Sequence, residues 1–238
     1  MTDDQIKEKA VEFARKNKKK IAKRLTDKAI YPKEADPVSV FMAGSPGAGK
    51  TESSLELLKF IESEGGSPIL RIDPDELRSE FEDYTGSNSW LFQHAVSILV
   101  DKIHDMALDN RQSFLLDGTF ARYDAAEKNI RRSVGRSRYV QVLFVYQDPL
   151  QAWKFVEARE ASEGRRIPIE SFVEQYFSSR DVVHRIKAEF QRSVSIDLLV
   201  KNNDCSMRYY KDNVDRIDTH IPEKYTRESL IRALQKTR

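Results

Sequence analysis

The eight residues GSPGAGKT, Gly44 to Thr51, constrain this chain more than any other stretch, because they come directly after VSVFMA, a run of six residues without a charge. An apolar, β-branched run, a glycine-rich turn and then a helical pattern make a strand–loop–helix unit in which backbone N–H groups turn toward phosphate oxygens. The match to G-x-x-x-x-G-K-[ST] is complete across Gly44, Ser45, Pro46, Gly47, Ala48, Gly49, Lys50 and Thr51. Lys50 has the reach for β and γ phosphates and Thr51 has the hydroxyl for Mg²⁺, while the helix that follows offers the positive end of its dipole. We therefore expect a nucleoside triphosphate at this loop.

From Val38 onward, short apolar runs alternate with longer helical patterns, as in a parallel sheet with crossover helices. Five runs read as strands: VSVFMA, ILRID from Ile69, SFLLDG from Ser113, YVQVLFVYQ from Tyr139 and DLLVKN from Asp197. Helical stretches begin near Thr51, Trp90, Tyr123, Leu150 and Ile169. The expected fold is an α/β core over residues 37–203, with a parallel sheet of about five strands and helices on both faces. Residues 204–238 read as a helical extension.

Residues 1–36 carry 11 Lys or Arg against 7 Asp or Glu, most of the excess lying in RKNKKKIAKR from Arg15 to Arg24. Ile6, Ala10, Phe13, Ile21 and Leu25 recur at helical spacing, so the lysines fall on the solvated face of an amphipathic helix. YPKEADP, with Pro32 and Pro37, separates that helix from the core. The net charge of +2 gives no sign of a nucleic-acid partner, and a nucleic-acid role would rest on the lysine run alone. No apolar run nears the ~18 residues of a membrane span, and the polar start MTDDQIKEK precedes no apolar leader segment, so we expect a cytoplasmic protein. The single Cys205 excludes an internal disulfide framework, and the four histidines sit near no cysteine and at no zinc-ligand spacing.

Ligands in such folds bind beyond the carboxyl ends of the strands. After the second run comes Asp73-Pro74-Asp75-Glu76, two carboxylates flanking a turn. One of them suffices to cap the next helix, and Asp75 is the best-placed carboxylate to accept a proton from an acceptor hydroxyl. The third run ends in Asp117-Gly118-Thr119, which can face a metal-bound water or substrate hydroxyls, or can simply cap the next turn. No Glu follows Asp117, which disfavours a nucleotide-driven motor, and no N-K-x-D sequence supports a GTPase, since KNND at Lys201 has the wrong order. After the fourth run, DPLQAWKFVEARE leads to Gly164, with Arg159 and Arg165 on either side of that joint and Arg166 beside them. Basic side chains that close over a phosphate neutralise its charge and exclude water; the alternative is a surface pair of Arg159 with Glu163. Trp153, Phe155 and the aromatics of SFVEQYF read as core.

Taken together, AGSPGAGKT, Ile72-Asp73-x-Asp75, Asp117-Gly118-Thr119, Arg159-Glu160 and G-R-x-I-P from Gly164 resemble the zeta-toxin family of P-loop kinases, over about residues 38–201. The resemblance implies transfer of phosphate from ATP to a sugar hydroxyl of UDP-N-acetylglucosamine or a related activated sugar, with toxicity through depletion of a cell-wall precursor. It also implies that Lys50 and Thr51 bind ATP and Mg²⁺, that Asp75 is the base, and that Arg159 and Arg165 contact the transferred phosphate. Asp73, Asp117, Thr119 and Arg122 fall toward the substrate. Two departures touch that end. Asp117 stands where the family often has Glu, and Phe120-Ala121-Arg122 replaces a Gly-Arg pair. The short interval between the arginines suggests a smaller lid. In the family an antitoxin helix obstructs the nucleotide site, so residues 1–36 are expected either to restrain the site in cis or to offer a docking surface. The reading left open is a phosphotransferase for another small molecule, such as an antibiotic or a nucleoside.

Overall fold

The computed structural model describes residues 1–164, 166–204 and 206–236. Its centre is a six-stranded sheet in the order β2-β3-β1-β4-β5-β6. Strands β1 (Val38–Ala43), β2 (Leu70–Ile72), β3 (Phe114–Leu116), β4 (Tyr139–Tyr146) and β5 (Ser195–Lys201) are the five apolar runs expected, and they pair in parallel. The sixth, β6 (Met207–Lys211), runs antiparallel on the β5 edge, where a helical extension was expected. Its sequence, MRYYK, is mostly exposed and so lacks the apolar signature that marks the other five.

Helices cover both faces. On one, α2 (Lys50–Ser63) lays Leu57, Leu58 and Ile61 over Val40, Met42, Leu115, Leu143 and Val145. On the other, Phe41, Phe114 and Phe144 meet Leu99 and Ile103 of α3 (Gln93–Asp109), Ile130 of α4 (Tyr123–Val134) and Ile186 of α6 (Ile169–Phe190). A third apolar cluster joins α5 (Pro149–Glu163), α6 and α7 (Arg227–Gln235) through Trp153, Phe172, Tyr176, Leu230 and Leu234. Trp153, Phe172 and Tyr176 are thus core and Phe177 packs against them, as their pattern implied, whereas Phe155, also expected in the core, is only half-buried and lies outside these clusters.

The N-terminal helix α1 (Asp3–Leu25) begins at a capping box, in which Thr2 and Gln5 satisfy each other's backbone N–H groups, with Asp3 and Asp4 in the first turn and Lys23 and Arg24 in the last. Its packing face is made of Ala10, Ala14, Ile21 and Ala22, small enough for close approach, and it lies chiefly against α3. Ile6 and Leu25 are only partly buried, and Phe13, 37 % exposed, meets Phe81 edge-on at 5.6 Å. Among the described residues, no helix is long and apolar enough to cross a membrane.

Candidate active site

The parallel order places the end of β1 between β3 and β4, the crevice where chains of this architecture receive ligands. GSPGAGKT fills that crevice because its glycines can take a path other residues cannot. Gly44 has φ 134° and Gly47 φ 71°; a Cβ on the first would run into the carbonyl oxygen of Val145, and one on the second into that of Ala152 on α5. The loop is therefore seated between β4 and the first turns of α5. Its start is fixed from the other side, where Gly44 N–H donates to the carbonyl of Thr119 at 3.2 Å.

Lys50 opens α2 and folds its ammonium back over the loop, donating to the carbonyls of Gly44 at 3.0 Å and Ser45 at 2.7 Å. Burial lowers its pKa to about 8; Asp117 and Asp75 pull it up, Arg159 pushes it down and Glu52 pulls it up. Four charges from four parts of the sequence thus act on one amine, so the structure brings together Lys50, Asp75, Asp117 and Arg159. Thr51 stands half-buried in the first turn of α2.

The two carboxylates after β2 divide the tasks that the sequence left open. Asp73 is buried and takes the turn: its Oδ1 accepts from the Asp75 N–H at 2.7 Å. Burial raises its pKa, and Arg71 pulls it back. Asp75 stands at the cap position of a 3₁₀ turn, Glu76–Glu80, yet makes no side-chain cap bond. Its carboxylate is instead paired with Arg78 and stays partly exposed.

Arg71 organises this edge and had not been foreseen. From the middle of β2, with only 9 % of its side chain exposed, its guanidinium donates to Asp117 Oδ2 at 2.7 Å, to Asp73 and to Glu76, and its Nε–H to Ser54 Oγ at 3.1 Å. Ser54 in turn donates to the same Asp117 oxygen at 3.1 Å. The signal was present: an arginine between Leu70 and Ile72 in a three-residue buried strand has to find carboxylates, because an unpaired charge there is too costly. Asp117 is consequently a held group, tied to both β2 and α2.

The remaining predicted residues differ in placement. Thr119 meets the phosphate loop through its backbone. Arg122 lies at the N-cap of α4 and lines a groove of about 740 Å³ with Lys7, Val11 and Arg15 of α1 and Trp90 and His94 at the start of α3. Arg159 is on the last turns of α5, which Gly164 ends in the left-handed conformation with its N–H donating to Glu160. Position 164 abuts Ser87, so the end of α5 meets the loop that follows the 3₁₀ turn. Arg165 lies outside the described residues; Arg166 is exposed, 3.8 Å from Glu160.

The donor set suits a hard cation held mainly by its substrate. Among the described residues no group of three or more metal-ligating side chains occurs, and the Thr51 hydroxyl, in the first turn of α2, could serve a cation held mainly by phosphates.

The zeta toxin family model matches residues 21–215. Among solved structures, the chain is similar to one from the PezAT chromosomal toxin–antitoxin system of the human pathogen Streptococcus pneumoniae, with a TM-score of 0.62, 15% identity, and coverage of 94% of this chain and 93% of that one. It is similar also to the AvrRxo1-ORF1:AvrRxo1-ORF2 complex, solved with sulphate ions and with ATP, each at TM-score 0.58 and 16% identity over 91% of this chain and 70% of that one. No curated protein matches the chain. With four-fifths of its length matched by the family model and its P-loop seated at the centre of the sheet, the chain belongs to the zeta toxin family.

Proposed function

We propose that this protein is an ATP-dependent kinase that transfers the γ-phosphoryl group of ATP to a hydroxyl of a UDP-activated amino sugar, such as UDP-N-acetylglucosamine. The observation that carries the reading is the seating of GSPGAGKT between β4 and α5 with the Lys50 ammonium folded over it, while Asp73, Asp75 and Asp117 follow the neighbouring strands β2 and β3. Phosphoryl transfer needs little covalent help from a protein; it needs alignment and cancellation of charge. In this reading Asp75 takes the proton of the acceptor hydroxyl as its oxygen bonds to phosphorus and the bridging P–O bond to ADP breaks. Arg78 holds Asp75 in place. Lys50 and Arg159 neutralise the equatorial oxygens, with Arg165 as a second lid cation. Asp73, Asp117, Thr119 and Arg122 serve the acceptor, Asp117 being kept rigid by Arg71 and Ser54. Mg²⁺, held by Thr51 and the phosphates, supplies charge neutralisation when bound. An antitoxin is the protein partner that this reading implies, since toxins of this kind must be restrained in the cell that makes them.

The test is direct. Purified protein is incubated with ATP, Mg²⁺ and a panel of acceptors including UDP-sugars, nucleosides and aminoglycosides, and products are read by mass spectrometry. A gain of one phosphate on the UDP-sugar alone supports the proposal. Phosphorylation of another member of the panel instead of the UDP-sugar sinks the acceptor assignment, and no ADP formation with any acceptor sinks the kinase.

A further inference from the structure

At the carboxyl end of β5 a buried cation plays no part in the reading above. Lys201 is 5 % exposed, its side chain only 2 %. A buried ammonium is costly unless well paired, and its ion pair is a long one, 3.7 Å to Glu56 Oε2, on a carboxylate that is itself largely exposed. That distance exceeds a hydrogen bond.

What lies beside Lys201 is the phosphate loop. A methyl built on Gly49 would stand 3.7 Å from Lys201 Cε and 3.8 Å from Glu52 Oε2. Gly49 is the residue at which the loop turns into α2, so the lysine reaches the start of that helix, where free N–H groups favour anions. The order β2-β3-β1-β4-β5 puts Lys201 on the flank opposite Asp73, Asp75 and Asp117, which follow β2 and β3. Lys50 meanwhile points its ammonium at Gly44 and Ser45, the other end of the loop. Two lysines therefore bracket the same eight residues. Glu52 and Glu56, one turn apart on α2, bring negative charge to this flank, and a bound polyphosphate would feel it unless a cation stood between.

We propose that Lys201 is a nucleotide-binding residue on the donor flank, contacting the phosphates nearer the nucleoside of a nucleoside di- or triphosphate, while Lys50 serves the terminal phosphates. The inference rests on the phosphotransferase reading and adds a residue that sets nucleotide affinity rather than transfer. A cation that meets these phosphates equally before and during transfer changes binding and leaves turnover at saturation alone.

The experiment is calorimetric titration with ADP and with adenosine of the wild-type chain and of Lys201→Met, Lys201→Arg and Glu56→Gln, with melting curves taken without ligand. Lys201→Met is expected to weaken ADP about tenfold or more while changing adenosine binding little, because only ADP carries the phosphates. Lys201→Arg keeps most of the affinity, and Glu56→Gln binds ADP as tightly as wild type or more tightly. If Lys201→Met binds ADP like wild type, or loses adenosine in equal measure, the inference is wrong. Should Lys201→Met fail to fold, the other two decide it: weaker ADP binding in Glu56→Gln, or complete loss in a folded Lys201→Arg, overturns it. A wild-type chain that does not bind ADP overturns the phosphotransferase reading itself, a result distinct from the others.

Discussion

At the scale of single residues, the site is a balance of charges, and each can be weighed by removing it. Replacing Asp75 with Asn keeps the size and removes the proton acceptor; turnover should fall by about 10²–10⁴-fold with little change in the KM for ATP, measured by steady-state kinetics once the acceptor is known. Arg71 is different in kind, because it touches carboxylates rather than ligand. Arg71→Met would leave Asp73 and Asp117 buried without their cation, a loss of about 3–5 kcal/mol. Denaturant unfolding should show a smaller loss at pH 5 than at pH 7, since burial already raises the pKa of Asp73 and its protonation relieves part of the penalty. Lys50 has the opposite sign. Its pKa falls on folding, to about 8, so the unfolded chain binds more protons than the folded one between about pH 8 and the ordinary lysine value, and stability rises with pH there. Relative to Lys50→Met, the ligand-free wild type should therefore be at its greatest disadvantage below pH 8 and recover above it, in paired unfolding curves. Asp75 was singled out from sequence because a carboxylate beyond a strand end has few purposes, and its role as base is what these kinetics test. Arg71 carried a signal too, a charge inside a buried strand, but which carboxylates it serves appears only when β2 and β3 are paired and Asp117 comes beside it.

Among the elements, α1 is the amphipathic helix that its spacing implied. Its basic run invites a nucleic-acid or inhibitory role, yet its alanine face is part of the main core and its charges brace a neighbour: Lys9 pairs with Asp83 at 2.8 Å and Arg24 with Glu80 at 2.5 Å. Both partners lie in the stretch immediately after Asp75, and Phe13 packs on Phe81 within it. Deleting residues 1–25 should therefore uncover the face of α3 on which α1 lies and yield an unstable or aggregating chain rather than a released, hyperactive one; solubility and melting temperature would show it. The same deletion leaving a stable, faster enzyme would restore the inhibitory reading. The five parallel strands were legible because each is a run that centres on buried apolar residues and is bounded by turn signals. β6 was not, because an edge strand held by Tyr210 and the Asn213 N–H on the buried Asp197 needs no such run.

For the whole molecule, binding and folding are linked through the loop. A nucleotide that binds only the native chain adds about 2.7 kcal/mol at a hundredfold excess over its Kd, so ADP should raise the melting temperature of wild type and leave that of Lys50→Ala unmoved. The contact between Gly47 and α5 sets how such a molecule can work. Ala152 and Val156 press on the loop while Trp153 is sunk between α6 and α7, so the first half of α5 is effectively part of the donor cradle. The turns beyond Val156 carry Arg159 up to the left-handed joint at Gly164, which abuts Ser87. One helix thus runs from the phosphate loop to the stretch that follows Asp75, a ruler laid between the two halves of the crevice.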